Sequence, residues 1–299
     1  MSKTSLLLVS CLSFSAGCES EGTTVGGAPD GAAVVEGTAL RFTASSLPEL
    51  GTDYVYEGWI IVDGEALTAG RFTVDGDGKS TPAQFALDPA DAEAATLYVL
   101  TIEPKDGDDP APSSTHILAG EISEGMASLS VDHPGAFDTD FASAKGSYIL
   151  ATPTTGDDTL QERGIWWINP GDGSASLDLP TLPAGWAYEG WVVGSDGPVS
   201  TGRFTDPGGA DSDLAGSAKG DTGDGPALPG QDFIDPSMIL NDGSTVAVIS
   251  VEPEPDDSPA PFLIKPLVHD PIGAEVAPAM HLMTNNAAAT LPAATLVIE

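Results

Sequence analysis

From residue 40 onward, short apolar runs alternate with Gly, Pro and Asp punctuation. The runs 40–44, 59–62, 71–74, 97–102, 126–131 and 147–151 are strand-length and mostly rich in β-branched or aromatic residues. The run 164–168 opens the second half of the chain in the same style. Residues 59–62, the Asp63-Gly64 pair and residues 70–74 read as a hairpin with a loop over 63–69, because Asp-Gly is a preferred turn pair. Asp88-Pro89 ahead of residues 90–95 is the helix signal: Asp caps the first turn and Pro fits the first helical position. The pattern therefore predicts an all-β fold with a β-sandwich-like domain in each half.

The two halves repeat one another. Tyr56-Glu57-Gly58-Trp59 recurs as Tyr188-Glu189-Gly190-Trp191, and Gly70-Arg71-Phe72-Thr73 as Gly202-Arg203-Phe204-Thr205, both displaced by 132 positions. Leu47-Pro48 aligns with Leu182-Pro183, which makes the first copy three residues longer in that turn. Thr101-Ile102-Glu103-Pro104 recurs as Ser250-Val251-Glu252-Pro253, displaced by 149, so the second copy carries 17 extra residues. They fall in 206–231, a Gly, Asp, Pro and Ser stretch without periodicity that reads as a long surface loop. The second hairpin turns at Asp196-Gly197. The expected organisation is a first domain over 38–153 and a second over 163–299, joined in tandem by a short polar linker.

The N-terminus departs from this pattern. A lysine at position 3, an apolar stretch over 6–14 and small residues directly before Cys18 form a secretion signal over 1–17. Small residues before a cysteine resemble the bacterial lipobox, which implies lipidation of Cys18; the alternative is a plain signal cut near Ala16 or Gly17. Residues 18–37 then read as a flexible tether. The other cysteine, Cys11, lies within the signal, so the exported body has no thiol pair. Expected localisation is the cell envelope, lipid-anchored to a bacterial membrane, with Glu19 after Cys18 favouring the outer one by analogy with lipoprotein sorting.

Charge narrows the partners. Ten Lys and Arg stand against 45 Asp and Glu, a formal charge of −35. Such a field repels phosphate, which argues against nucleic-acid binding. A hydrophobic content of 41% is enough for a core, and 35 Gly with 25 Pro fit many turns.

The Tyr-Glu-Gly-Trp strand, the Gly-Pro-Val-Ser-Thr-Gly-Arg-Phe hairpin (197–204) and the Thr-Ile-Glu-Pro strand with its acidic Pro-Ala-Pro sequel (101–112) together resemble the C-terminal, extracytoplasmic domain of anti-sigma-K factors. The resemblance covers most of 40–151 and, with the loop inserted, 164–299. It implies a β-rich envelope domain that senses or binds something outside the cytoplasm. The cytoplasmic sigma-binding domain and transmembrane helix of that family have no counterpart before the motifs, so sigma-factor binding is not expected.

Candidate site residues follow from the hairpin. Glu57 and Arg71 fall near one another across its arms, and Glu189 and Arg203 repeat the arrangement; two of the chain's four arginines occupy this matched position. A cross-strand charge pair that holds register is one reading. The other is a polar anchor in a ligand cleft walled by Tyr56 and Trp59, and by Tyr188 and Trp191 in the second copy. Trp166-Trp167 places one indole on each strand face, one of them expected to be exposed or at the contact between domains. The acidic loops at 75–78, 106–109, 221–224 and 256–257 lack the twelve-residue calcium pattern, and the four histidines lack zinc-ligand spacing. No catalytic residue, metal or cofactor is assigned, and no enzymatic activity is expected. The expected function is a non-enzymatic envelope lipoprotein that binds or senses a protein or small ligand. The alternative is a structural or adhesive acidic lipoprotein with weak divalent-ion binding.

Overall fold

The computed structural model describes residues 38–299 apart from 77–78, 257 and 276. The predicted signal, Cys18 and the tether lie outside the described residues. The body from Glu36 to Glu299 is one compact unit.

The first half carries β1 (Thr38–Ser45), β2 (Tyr54–Val62), β3 (Glu65–Val74), β4 (Ser80–Thr81), β5 (Gln84–Leu87), α1 (Pro89–Ala94), β6 (Leu97–Pro104), β7 (His116–Glu121), β8 (Met126–Leu129) and β9 (Lys145–Leu150). After a 3-10 turn (Asp158–Arg163) the second half carries β10 (Gly164–Trp166), β11 (Leu177–Asp178), β12 (Trp186–Gly194), β13 (Gly197–Phe204), β14 (Gly230–Asp232), β15 (Val246–Pro253), β16 (Leu267–His269), β17 (Met280–Leu282), β18 (Thr284–Asn285), α2 (Ala287–Thr290) and β19 (Ala293–Ile298). The fold is all-β, and its pairings are antiparallel. The one predicted helix is present: Asp88 accepts the Ala90 N–H at 2.8 Å, and Pro89 occupies the first turn.

Each half has a sheet built on the repeated hairpin, β4-β3-β2-β6-β7 in the first and β13-β12-β15-β16-β18 in the second. Tyr56 faces Phe72 and Glu57 faces Arg71 across β2 and β3; Tyr188 faces Phe204 and Glu189 faces Arg203 across β12 and β13. The first turn is tighter than the predicted 63–69 loop. Asp63 and Gly64 alone make it, with φ of 51° and 86°, the left-handed pair a two-residue hairpin needs. The register shift a longer loop would have absorbed sits instead in a bulge beside Gly58 and Trp59. The second turn is made by Ser195 and Asp196, since Gly194 pairs with Gly197, one residue earlier than expected. The Leu-Pro alignment also shifts. Tyr56 Oη donates to the Pro48 carbonyl and Tyr188 Oη to the Pro180 carbonyl, so the counterpart of Leu47-Pro48 is Leu179-Pro180 and this turn has one length in both halves.

The facing sheets alter the tandem picture. In the first half the covering sheet is β5-β1-β19-β8: the last strand of the chain lies between β1 and β8, with Leu40 opposite Ile298 and Ala127 opposite Leu296. In the second half β9 takes the equivalent slot, flanked by β10 and β17, with Leu150 opposite Ile165 and Tyr148 opposite His281. The two halves have therefore exchanged their final strands. The segments 38–153 and 163–299 are interleaved rather than closed separately, and one continuous apolar core runs from Leu40 to Leu296. Phe42 on Phe72, at 4.9 Å between centroids, marks the sheet-on-sheet contact of the first half; Tyr148 against Trp167 lies in the second.

The inserted segment is only partly a surface loop. Ala215, Ala218 and Leu228 are buried, and its end forms β14. The reason is Trp166. Its indole points away from the main core and needs cover, which Ile149 and Ala215 supply, while Asp232 accepts the indole N–H at 2.8 Å. Trp167 points the other way into the main core, so the tandem indoles do take opposite faces, but both are fully buried.

Candidate functional site

The matched hairpins bring together the residues singled out by the repeat, in a duplicated buried network. In the first half Trp59 Nε1 donates to Thr101 Oγ1 at 2.9 Å, and the Thr101 hydroxyl donates to Glu103. In the second, Trp191 Nε1 donates to Ser250 Oγ at 2.8 Å, and the Ser250 hydroxyl donates to Glu252. Beside this chain, Glu57 accepts from Thr68 and Glu189 from Ser200. Glu57, Glu103, Glu189 and Glu252 are all at most 4% exposed, so the fold sets two buried carboxylates side by side in each half. Gly58 makes the space: a Cβ there would collide with the Tyr98 hydroxyl.

One arginine serves each pair. Arg71 Nε lies 3.2 Å from Glu57 Oε2, and its Nη2 lies 3.4 Å from Asp108 and donates to the Pro104 carbonyl. Arg203 donates to the Pro253 carbonyl at 3.0 Å and contacts Glu254 at 2.9 Å, but its Nε stands 3.7 Å from Glu189 Oε2. Buried carboxylates lose hydration, which disfavours the charged form. Burial accordingly pushes Glu57 and Glu189 upward, against the pull of Thr68 and Arg71 on the first and of Ser200 and Arg203 on the second. Glu252 is pushed up to about 7, by burial first and then by Asp256 and Glu189, despite hydrogen bonds from Ser250 and the Phe262 N–H.

The remaining predicted members have structural surroundings. Tyr56 and Tyr188 are fully buried, and Trp59 and Trp191 are 3% and 2% exposed. Each tyrosine hydroxyl is held by a proline carbonyl and each indole N–H by a hydroxyl, so the aromatic faces pack in the core instead of walling an exposed cleft. A 570 Å³ open cleft lies between the halves, where Leu50, Tyr54 and Ile102 face Pro253, Phe262 and Lys265. Burial pulls Lys265 down from its ordinary value, and its Nζ donates to the carbonyls of Phe262 and Leu263.

Glu103 and Glu252 were not singled out from sequence, although the hydroxyl-x-Glu pattern at 101–103 and 250–252 is part of the repeat, and Asp256 was read only as part of an acidic loop without the calcium pattern. A second cluster also went unseen. Tyr148 on the exchanged β9 shares a 2.7 Å hydrogen bond with His269 Nδ1 and stacks on His281 at 4.9 Å. Burial lowers His281, partly offset by Glu275. The three residues are 121 and more positions apart or on different strands, so no local spacing announces them.

With this geometry in view, the comparisons bear on the first half. The family described as anti-sigma-K factor rskA, C-terminal, matches residues 21–117. The match takes in β1 to β6 and the start of β7, and with them Tyr56, Glu57, Trp59 and Arg71. No curated protein and no solved structure matches the chain.

Proposed function

We propose that this chain is an exported, lipid-anchored envelope protein without enzymatic activity, whose interleaved β body binds or senses a protein or small ligand. The observation that carries the reading is the match of residues 21–117 to the C-terminal domain of an anti-sigma-K factor. The second half is a diverged copy of the same module: it repeats the hairpin register and the Trp-hydroxyl-Glu chain. The N-terminal signal and Cys18 supply the anchor, and no helix among the described residues is long and apolar enough to cross a membrane. The cleft between the halves is the place for the partner, because it combines an apolar wall with one cation in an acidic molecule and draws on both copies.

Two measurements test this together. Cys18→Ser should move the protein from the membrane pellet to the soluble envelope fraction; unchanged pelleting would refute the anchor. The body immobilised through its C-terminus should retain a defined envelope component that Phe262→Asp and Tyr54→Asp release while melting normally. Equal retention by wild type and both variants would exclude the cleft.

A further inference from the structure

The two buried carboxylate networks differ in one respect that bears on ligand binding. Around the first, Glu57, Glu103 and Asp108 face Arg71, and Lys105 shares a surface depression with that arginine, leaving a formal charge of −1. Around the second, Glu189, Glu252, Glu254 and Asp256 face Arg203 and, on the Glu252 side, Lys265, leaving −2. The repeat places Glu254 where the first copy has Lys105, an exchange that makes the margin of the second network more acidic.

The geometry follows the charge. Glu254 and the Pro253 carbonyl hold the Arg203 guanidinium on the outer side. Glu189 is 4% exposed, and its Oε2 is buried with no hydrogen-bond donor within reach, whereas Arg71 closes on Glu57 Oε2. Carboxylate oxygens of Glu189, Glu252 and Asp256 lie within 4.8 Å of one another. Glu189 Oε2 is a buried anionic oxygen without a donor, and a multivalent cation shared with the carboxylates of Glu252 and Asp256 removes that cost.

We infer that Glu189, Glu252 and Asp256 form a binding site for a hard divalent cation of calcium's size. Three oxygens within 4.8 Å of one another lie at most about 2.8 Å from a common centre, which admits the about 2.3–2.6 Å bonds and irregular oxygen shell of calcium, whereas magnesium demands about 2.0–2.1 Å and a near-ideal octahedron. Magnesium also dehydrates reluctantly, and paired, buried strands do not rearrange into its octahedron, so it binds more weakly than calcium. Water completes the shell on the half-buried Asp256 side. The inference rests on the second half's geometry alone and stands or falls separately from the envelope-sensing reading.

Terbium is a direct probe, since Trp191 is linked to Glu252 through Ser250 and lies close enough to sensitise its luminescence. Titration of the full body with terbium at physiological ionic strength, with excitation of tryptophan, should give saturable emission that calcium displaces at lower concentration than magnesium. Asp256→Asn, at a loop position that leaves the strands intact, should weaken terbium binding at least ~10-fold by removing one ligand charge. Asp108→Asn, at the corresponding acidic segment of the first half, should leave it unchanged. Absence of sensitised emission would overturn the site. So would emission that Asp256→Asn leaves unaltered, or that Asp108→Asn lowers equally, because either outcome means binding to diffuse surface charge. Displacement by magnesium as readily as by calcium would overturn the size selection.

Discussion

The two halves keep the same interior and differ at the margins. Both tie an indole to a hydroxyl, the hydroxyl to a buried glutamate, and a tyrosine to a proline carbonyl eight residues upstream. They part where the network meets solvent. The first half closes its carboxylate with a nearby arginine and carries a lysine beyond it; the second draws its arginine off toward Glu254. The second also covers its outward Trp166 with an inserted segment that the first half lacks. Packing and satisfied polar groups constrain the interior tightly, because a half-paired buried network costs more than none. Charges at the edge are screened and cheap to exchange, so they are where the halves differ.

The comparison breaks hardest at the exchanged strands. A chain truncated before Ala293 loses the strand between β1 and β8, so hydrogen exchange should show protection lost first in β1, β5 and β8 of the opposite half. The loss is of the order of the whole stability of a domain, roughly 5–15 kcal/mol. Protection lost first in β12 and β15 would mean that each half closes on its own final strand.

Next in size are the arginines. Arg71→Met removes a guanidinium that contacts Glu57 and Asp108 and should cost about 1–3 kcal/mol, the upper range for a buried pair being reduced by partial exposure of the arginine. Arg203→Met should cost less, about 1 kcal/mol, because its contact with Glu189 is longer and Glu254 is exposed. Equal losses in urea melts would erase the distinction between the halves.

The inserted segment adds a pH dependence with a definite sign. Asp211, pushed up to about 7 by burial and by Asp213 against a hydrogen bond from the Gly230 N–H, binds its proton more tightly when folded. Its contribution is complete below the ordinary aspartate value near 3.8 and is lost as pH rises through about 7. In calcium-free buffer Asp211→Asn, which mimics the protonated form, should therefore gain in melting temperature relative to wild type between pH 5 and pH 8. A constant difference across that range would show that the carboxyl is not held in this state. The smallest effects are the matched indoles: Trp59→Phe and Trp191→Phe should each lose about 1 kcal/mol with the N–H bond, and nearly the same amount, since the bonds are 2.9 and 2.8 Å. Unequal losses would show that one hydroxyl is better compensated than the other.

Much of the scaffold was legible in the residues themselves. Short apolar runs between Gly, Pro and Asp placed most of the strands, and the recurrence of Glu57 with Arg71 and of Glu189 with Arg203 pointed to both cross-strand pairs, although both turns are tighter or earlier than the runs suggest and a bulge shifts the register beside them. The exchange of β9 and β19 was not legible. Both are short apolar strands that close a sheet of the same kind, so hydrophobic pattern alone lets either fill either slot. The buried part of 206–231 was hidden for a related reason: Gly and Asp read as loop until Trp166 is known to need a cover. Of the site, the arginines and first glutamates were found through the repeat. Asp256 was read as one of several acidic loop residues, because Glu189 and Glu252 meet it only once β12 and β15 lie side by side.

The place of β19 also governs when the protein can finish folding. Arg41 on the first described strand pairs with Glu299 across 258 positions, and the ladder beside it joins the two ends of the body. Closing so long a loop adds only about 0.6 kcal/mol for each doubling of its length, so the final state loses little stability by it. The kinetic effect is larger, since contacts this distant in sequence slow folding. As the chain emerges from its N-terminal end, the covering sheet of the first half has a gap that only β19 fills. Until it arrives, β1 and β8 flank an open slot and the body stays loose. Completion of the fold thus waits for the arrival of β19.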